Sequence, residues 1–488
     1  MAARAIMLQG TGSDVGKSLI AAGLARLFAN QGMKVAPFKP QNMSNNAAVT
    51  ADGGEIGRAQ ALQARAARAA PSIHMNPILL KPETTTGAQV IVQGSRTRSM
   101  DARTFFKSRL EYLPPILDSF ARVAADADIV IVEGAGSAAE VNLRDGDIAN
   151  MGFAHAANVP VVLIGDIHRG GVIASIVGTF NVINQSDAEL IKGFMINNFH
   201  GDVSLFADGL KTIETATGRP GLGVIPHFAA AARLPAEDAV ALERATTTGT
   251  GNLRIAVPRL ARIANFDDLD PLKLEPGVTV DIVQPGQPVP GNSDLIIIPG
   301  SKSTIGDLDD LRRQGWDIDI TAHARRGGHV LGLCGGYQML GRAIHDPEGL
   351  EGRAGSADGL GLLDIETTLT RQKTLTNVSA RHIASNAAMS GYEIHLGETT
   401  GPDCARPFAM IGDQPDGAIS PSGRIAGTYM HGSFAGDAFR QAYLASLGAQ
   451  TSDINFDAEI DKTLDELADH LNRHLQIDRI LEIAEPVS

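Results

Sequence analysis

A glycine-rich turn near the start of the chain has the residue types that bind phosphate. The apolar run Ala5–Leu8 leads into Gly10-Thr-Gly-Ser-Asp-Val-Gly-Lys-Ser18 and then into a helical pattern. Backbone N–H groups of such a turn converge on phosphate oxygens, and the helix N-terminus adds partial positive charge. Lys17 would reach the outer phosphates and Ser18 would ligate Mg²⁺. The predicted nucleotide-binding residues are Gly12, Ser13, Asp14, Val15, Gly16, Lys17 and Ser18.

This turn departs from the usual phosphate-binding pattern at one position. The pattern G-x-x-x-x-G-K-[ST] begins with a glycine where this chain has Thr11, and Gly10 lies one residue earlier. A glycine-rich turn between a strand and a helix can also be purely structural. Because Gly-Lys-Ser stands at the predicted helix start, we favour phosphate binding.

Charged residues near the ends of predicted strands could complete a nucleotide site. Open α/β sheets bind ligands at the carboxyl ends of their strands, where Glu133 and Asp166 stand, and Asp52 lies in a predicted loop. The alternative for each is a solvated or helix-capping carboxylate. Lys39 follows the second predicted strand and would meet a phosphate or a substrate carboxylate, unless it is a surface lysine. The predicted metal ligands are Ser18, Asp52, Glu133 and Asp166.

A cysteine between two predicted elements is the second reactive feature. Cys334 follows the apolar run His329–Leu333 and precedes Gly335, Gly336 and a predicted helix, as in a nucleophile elbow. A helix N-terminus stabilises a thiolate, and the next N–H can donate to an oxyanion. A buried, inert cysteine is the alternative. His431 ends another apolar stretch and is the candidate base, although many histidines are only surface groups.

Composition excludes several classes of protein. The 488 residues are 43% hydrophobic and 20% charged, which is typical of a globular protein of two to four domains. A formal charge of −13 argues against nucleic acid as a partner. The cysteines, Cys334 and Cys404, are too sparse for a disulfide framework. No signal peptide is visible, and no apolar run approaches the roughly 20 residues that span a membrane, so we expect a cytoplasmic protein with no membrane partner.

The order of predicted elements divides the chain. Short β-branched runs alternate with Ala- and Leu-rich helical patterns over residues 1–228, which predicts a doubly wound parallel sheet. An Ala-rich helix from Ala229 to Ala245 and a polar linker would fill residues 229–252. A second α/β series covers residues 253–446. In the tail, residues 447–488, an apolar helical stripe predicts packing against the second domain; it contains Leu464, Leu467, Leu471 and Leu475.

The cysteine motif carries a family resemblance. Gly332-Leu-Cys-Gly-Gly-Tyr-Gln-Met-Leu340 with the later Tyr429-Met-His-Gly432 resembles the class I glutamine amidotransferases. The resemblance implies a flavodoxin-like fold in which Cys334 forms a γ-glutamyl thioester and ammonia leaves. It also implies oxyanion and glutamine contacts at Gly300, Ser301 and Gly335. Many members have a glutamate two residues after the histidine, where this chain has Ser433, so the group that orients His431 is left open.

The first domain is similar to dethiobiotin synthetases, which activate a carboxyl group with ATP. The shared features are the phosphate-binding turn, Lys39-Pro40 and Glu133-Gly-Ala-Gly136. Beside a glutaminase, this resemblance implies that one domain makes an acyl phosphate and the other supplies ammonia.

Longer strings over nearly the whole chain resemble the cobyric acid synthase family. They are Pro40–Asn46, Asp52–Gln60, Met75–Pro82, Gly165–Gly171, Asn198–Asp202 and Asn265–Pro271. The resemblance implies amidation of the b, d, e and g carboxylates of adenosylcobyrinic acid a,c-diamide, with glutamine, ATP and Mg²⁺. On motif position, phosphate or substrate contacts fall on Lys39, Arg58, Lys81 and Arg169.

Two alternatives stay open at this point. Cobyrinic acid a,c-diamide synthases share both domains, although Gln41-Asn-Met-Ser-Asn-Asn46 argues against that family. An ATP-binding switch with an inactive glutaminase-like domain is the other alternative, and Cys334 with His431 argues against it.

Overall fold

The architecture rests on two parallel sheets that follow one another along the chain. A computed structural model describes residues 2–83, 87–237, 242, 247–352, 354–450 and 452–487. Both sheets lie between helices, which confirms the predicted α/β fold class. Within the described ranges, no helix combines the length and apolarity needed to cross a bilayer.

The first sheet places the phosphate-binding turn at its centre. Its parallel strands are, in spatial order, Gly221–Pro226, Ile191–Phe199, Val161–Asp166, Arg4–Gly10, Ile129–Glu133 and Val35–Phe38. Strands buried on both faces are rich in β-branched residues, as in Val161–Ile164. The helices of this domain are Lys17–Asn30, Arg58–Ala66, Ala102–Ser108, Leu113–Ala125, Met151–Ala156, Val172–Val182, Gln185–Leu190 and Ala207–Thr217.

A smaller sheet and a hairpin project from the first domain toward the second. The smaller sheet contains Gln41–Met43, Ile78–Pro82, Gly87–Val92 and Ser95–Asp101, and the hairpin pairs Ala47–Val49 with Glu55–Gly57. Alternate residues of a strand face opposite sides. Leu80 and Val90 accordingly join the core of the first domain, whereas Leu79 and Ile91 pack with residues of the second domain.

The second sheet has the strand order of flavodoxin-like folds. Its parallel strands are Val278–Val283, Leu253–Pro258, Leu295–Ile298, His329–Leu333 and Ile425–Thr428, flanked by antiparallel Thr247–Thr248 and Ala418–Ile419. If these five parallel strands are numbered by their order in the chain, their spatial order in the sheet is 2-1-3-4-5, as in flavodoxin. The associated helices are Asp270–Lys273, Thr304–Arg313, Trp316–Arg325, Gly335–Leu340 and Asp437–Ser446.

A third sheet in the second domain is mostly antiparallel. The long strands Glu366–His382 and Ala388–Thr400 form its centre. The other strands are Gly355–Asp358, Ala343–Asp346, Met430–His431, Ala409–Ile411 and Gln414–Asp416. In addition, Ile263–Ala264 pairs with Gly300–Ser301.

The segment between the domains differs from the predicted helix and linker. A 3-10 helix covers only Ala229–Arg233, and the chain then becomes extended before Pro235. Proline disfavours a helical residue before it and lacks the N–H that continues a helix, which explains the end of this helix. Residues 238–241 and 243–246 of the predicted helix and linker lie outside the described residues. Thr247–Thr248, predicted as linker, adds a strand to the second sheet.

The C-terminal tail corrects another prediction. Helix Phe456–His474 buries the predicted leucine stripe, but against helix Lys17–Asn30 of the first domain rather than against the second domain. Gly23 permits this contact, because an added Cβ would lie 2.4 Å from Leu471 Cδ1. Arg26 ion-pairs with Asp461 at 2.6 Å. An apolar stripe reveals which face of a helix is buried, but not its partner. The tail ends with helix Ile477–Ile483 and strand Glu485–Pro486, which pairs with Arg4–Ala5 of the first sheet.

We predict that Leu471→Ala lowers the free energy of unfolding by about 2–5 kcal/mol, because it opens a cavity between the tail and the first domain. The matched control Leu205→Ala changes a leucine that is 82% exposed and should alter stability by less than about 0.5 kcal/mol. Urea unfolding of the full chain, followed by circular dichroism, measures both. Equal midpoints for the two variants would contradict the docking of the tail.

Candidate functional site

The phosphate-binding turn connects strand Arg4–Gly10 to helix Lys17–Asn30. Lys17 Nζ donates to the carbonyls of Gly12, at 3.0 Å, and Gly136, at 2.8 Å. Gly16 has φ +93, and a Cβ there would lie 2.2 Å from Nδ2 of Asn197, which itself donates to the Val15 carbonyl. A side chain at position 16 would therefore be both strained and obstructed.

Two carboxylates converge on the hydroxyl of Ser18. Glu133 Oε1 lies 2.7 Å and Glu237 Oε2 2.5 Å from Ser18 Oγ. Lys39 Nζ ion-pairs with the same carboxylates at 2.8 and 2.7 Å. Burial by itself would raise the pKa of Glu237, but Lys39 and Ser18 lower it. The Ser18 hydroxyl has one proton and can donate it to only one of these two carboxylate oxygens. Such an oxygen-rich cluster fits a divalent cation.

The structure does not bring the other predicted metal ligands to Ser18. Asp52 lies in the loop of the hairpin Ala47–Gly57 and accepts hydrogen bonds from Ser72 and the Ile73 N–H, at the start of a short 3-10 helix that Ser72 caps. Asp166 ends its strand as predicted, but its carboxylate accepts the N–H of His168 at 2.7 Å. Asp52 thus holds the start of a helix, whereas Asp166 makes a local turn with His168 and caps no helix.

The structure also separates the four cationic residues that the sequence predicts as phosphate or substrate contacts. Lys39 lies at the turn, whereas Arg169 is exposed in a loop outside the cavities described below. Lys81 is buried at the boundary between the domains and pairs with Glu55 at 2.7 Å. Arg58 pairs with Asp267 of the second domain at 2.9 Å. These side chains therefore do not form one anion site, because their strands and helices lead to different edges of the domain.

A cavity of about 910 Å³ opens beside the phosphate-binding turn. Its polar lining includes Lys17, Ser18, Lys39, Glu133 and Glu237. Apolar side chains line it as well, among them Leu80, Val90, Met100, Phe105 and Met151, and further charged groups such as Arg109 and Arg144 also face it. This mixed lining suits a ligand that combines charged groups with a large apolar body.

Cys334 occupies a strained turn between strand His329–Leu333 and helix Gly335–Leu340. Its φ of +50 is unusual for a residue with a side chain. Gly336 permits the turn, since a Cβ there would lie 2.0 Å from the carbonyl oxygen of Ile298. Cys334 is 7% exposed and its thiol lies 3.6 Å from the Ile394 carbonyl. This is the geometry that the sequence predicts for a nucleophile elbow.

His431 shares the Cys334 cavity and is held by Asp268. Nδ1 of His431 lies 2.6 Å from Asp268 Oδ2, and both side chains are buried. The other oxygen of Asp268 accepts the N–H of Gly432. Burial alone would lower the pKa of His431, but the charge and hydrogen bond of Asp268, together with Cys334, raise it to about 10. The carboxylate that the sequence left open is therefore Asp268.

The Cys334 cavity lies at the boundary between the domains. From the second domain it includes Cys334, Gly335, Ser301 and His431, while Gly300 lies beside it, since a Cβ there would be 2.8 Å from His431 Cε1. Charged groups also face it, namely Lys302, Glu351 and Lys373 from the second domain and Lys81 and Arg96 from the first. Burial is the main cause that lowers the pKa of Lys81 to about 8.

One hairpin of the first domain separates the two cavities. Lys81 and Gln89 line the Cys334 cavity, whereas Leu80, Ala88 and Val90 line the cavity at the phosphate-binding turn. Because neighbouring residues of a strand face opposite sides, the sites lie back to back across this hairpin.

Three functional side chains were missed by the sequence analysis. Asp268 stands in the string Asn265–Pro271, where three carboxylates in four residues are the available signal. Glu237 lies in a segment predicted as helix, with no recognisable motif. Gln63 donates to Glu133 at 2.6 Å, and it lies three residues beyond the string Asp52–Gln60, where no motif marks it.

Comparisons with known proteins match both domains and the whole chain. Residues 6–241 match a CobQ/CobB/MinD/ParA nucleotide binding domain, and residues 254–439 match a CobB/CobQ-like glutamine amidotransferase domain. A cobyric acid synthase of Cereibacter sphaeroides is 61% identical over 98% of this chain and 99% of the relative. That of Methylobacterium nodulans is 58% identical over 99% of this chain and 100% of the relative. The chain therefore belongs to the cobyric acid synthase family.

Proposed function

We propose that the chain hydrolyses glutamine at Cys334 and uses the ammonia to amidate carboxylates that ATP has activated at the phosphate-binding turn. The acceptor is adenosylcobyrinic acid a,c-diamide, with amidation at carboxylates b, d, e and g. The back-to-back arrangement of the two cavities across one hairpin carries this proposal, because nitrogen released on one side is needed on the other. A nucleophilic thiol that must stay reduced also fits a cytoplasmic location.

In the glutaminase half, Cys334 attacks the side-chain carboxamide of glutamine. The thiol proton passes to His431, and the imidazolium then protonates the leaving nitrogen, which departs as ammonia and leaves a γ-glutamyl thioester. Water hydrolyses the thioester to glutamate. Asp268 fixes the tautomer and orientation of His431 and stabilises its charged form. Backbone N–H groups at Gly335 and Ser301 are the candidate donors to the oxyanion.

In the synthetase half, a substrate carboxylate attacks the γ-phosphorus of ATP and ADP leaves. Ammonia then attacks the acyl phosphate and inorganic phosphate leaves, so each cycle replaces one hydroxyl by an amino group. Lys17 and Lys39 supply positive charge to the phosphates and the carboxylate. Ser18, Glu133 and Glu237 would hold Mg²⁺, which neutralises phosphate charge when bound. The described residues include no cluster of three or more His, Cys, Asp and Glu side chains suited to a metal, and the Ser18 hydroxyl would be the third protein oxygen beside the two carboxylates.

The apolar side chains that line the large cavity support a bulky acceptor. Met43 and Phe106 line the cavity and are 58% and 45% exposed. An exposed methionine and an exposed phenylalanine in the lining of one cavity favour contact with an apolar ligand. A corrin ring with carboxylates at its edge combines the apolar body and the anionic groups that this cavity would take.

Neither alternative function is favoured. Identity of about 60% to cobyric acid synthases extends over both domains, which argues against an a,c-diamide synthase. A non-enzymatic switch has no use for a buried Cys334 beside a His431 that is oriented by a carboxylate.

Cys334→Ala should abolish glutamine-dependent amidation and retain amidation from ammonium chloride, since only the glutaminase nucleophile is lost. The matched control Cys404→Ala, which changes the other cysteine, should retain both activities. Mass spectrometry of the corrinoid product and assay of released glutamate measure the two reactions. Full glutamine-dependent activity in Cys334→Ala would contradict the proposed nucleophile.

Asp268→Asn should lower the kcat of glutamine hydrolysis by about 10²- to 10⁴-fold, because the histidine loses its orienting carboxylate. The pKa of His431 is raised by Asp268, so its imidazolium should be lost at lower pH in the variant. We therefore expect the alkaline limb of the kcat–pH profile to move to lower pH. Ammonia-dependent amidation should not change. An unaltered profile would rule out Asp268 as the orienting group.

Glu237→Gln should raise the Mg²⁺ concentration for half-maximal ammonia-dependent amidation by about 10- to 100-fold, because one oxygen ligand loses its charge. Asp52→Asn and Asp166→Asn serve as controls, since both carboxylates accept local backbone N–H groups. Titration of activity with Mg²⁺ at saturating ATP distinguishes these carboxylates. A larger effect of Asp52→Asn or Asp166→Asn than of Glu237→Gln would restore the assignment made from sequence.

A further inference from the structure

The guanidinium of Arg58 belongs to the first domain but is bonded to the second. Arg58 begins helix Arg58–Ala66, and its Nη2 lies 2.9 Å from Asp267 Oδ2 and 2.7 Å from Tyr392 Oη. The same nitrogen donates to the Ala47 carbonyl of its own domain at 2.7 Å. The guanidinium carbon also lies 5.3 Å from the centre of the Tyr392 ring. Arg58 lines neither cavity, so it does not reach a bound substrate there.

Both second-domain partners of Arg58, Asp267 and Tyr392, lie close to His431. Asp267 precedes Asp268, whose carboxylate holds Nδ1 of His431 at 2.6 Å, in the 3-10 helix Phe266–Leu269. Tyr392 lies opposite His431 in the antiparallel sheet, with ring centres 5.4 Å apart and planes inclined by 21°. Arg58 therefore contacts the residue beside the orienting carboxylate and also the ring stacked on the base.

The 3-10 helix is anchored in the second-domain core by Phe266 and Leu269, while its carboxylates repel one another. Asp267, Asp268 and Asp270 place three buried or nearly buried carboxylates within one turn. Burial raises the pKa of Asp267 to about 6, and the charge of Arg58 opposes that rise. The first domain also contacts the start of this helix, because the Ala47 N–H donates to Asn265 Oδ1 at 3.3 Å. Without Arg58, the buried carboxylate of Asp267 would lose its ion-pair partner, and the helix would have to shift or take up a proton.

We propose that Arg58 is a positioning residue for glutamine hydrolysis, through which the first domain holds Asp268 against His431. The glutaminase triad of the second domain is thus complete only when the first domain is docked on it. This inference rests on the proposed glutaminase function. It replaces the substrate contact that the sequence predicts for Arg58, since the side chain is committed to Asp267, Tyr392 and Ala47.

The test is Arg58→Gln, which removes the charge but keeps a polar side chain of similar length. We expect the kcat for glutamine hydrolysis to fall about 100-fold, as for a catalytic group misplaced by about an ångström. The KM for glutamine should not change, because Arg58 does not line the Cys334 cavity, and ammonia-dependent amidation should be retained. Arg58→Lys, which keeps the ion pair with Asp267, should recover part of the kcat. Arg65→Gln is the matched control, since Arg65 lies on the same helix but pairs with Asp457 and Asp461 of the tail.

A double variant distinguishes positioning from a general loss of structure. If Arg58 acts through Asp268, adding Arg58→Gln to Asp268→Asn causes no further loss of kcat, whereas an unrelated structural defect would add to it. Arg58→Gln with intact glutaminase and lost ammonia-dependent amidation would overturn the proposal and restore the substrate contact. If Arg58→Gln does not fold, Asp267→Asn replaces it and should lower kcat in the same way; an unaltered kcat overturns the proposal. Absence of glutamine hydrolysis in the unmodified protein would instead refute the proposed function itself.

Discussion

Ion pairs between buried charged side chains connect the two domains. Glu55 of the first domain is 1% exposed and binds Lys81 of its own domain and Lys373 of the second. Arg58 and Asp267 form a further pair across the boundary. Removal of one member of such a pair costs about 3–5 kcal/mol, because the other charge is left buried without its partner. This constraint fixes the distance and orientation between the thiol and the phosphate-binding turn.

A single hairpin separates the two cavities, and this explains how one chain can carry out two incompatible reactions. A γ-glutamyl thioester and an acyl phosphate both react with water and with ammonia, so each needs its own cavity. The hairpin of Ile78–Pro82 and Gly87–Val92 provides this separation with a single layer of backbone, since its alternate side chains face opposite cavities. Helix Arg58–Ala66 lies at the same boundary, with Arg58 toward Asp267 and Gln63 toward Glu133. Both reaction centres are therefore supported by the same small part of the first domain.

Local signals in the sequence predict much of this architecture, and long-range contacts account for the rest. The buried parallel strands, such as Val161–Asp166, can be recognised in the sequence because both of their faces are apolar. The glycine-flanked turns before Ser18 and at Cys334 can be recognised because each is one continuous stretch of sequence. Asp268 could not be assigned to His431, because the two are 163 residues apart and no local pattern relates them. Strand Glu366–His382 is largely polar and exposed, so no apolar alternation marks it. The leucines of the tail predict a buried helix face, while their partner, helix Lys17–Asn30, is set by the fold as a whole.

Transfer of nitrogen from glutamine to the corrinoid is the central claim, and an isotope experiment tests it most directly. The full chain would be supplied with ATP, Mg²⁺, adenosylcobyrinic acid a,c-diamide and glutamine labelled with ¹⁵N in its side-chain amide, and the product would be analysed by high-resolution mass spectrometry. The account predicts that every newly formed amide contains ¹⁵N. A product without the label, or a corrinoid that remains unamidated while glutamine is consumed, would contradict it.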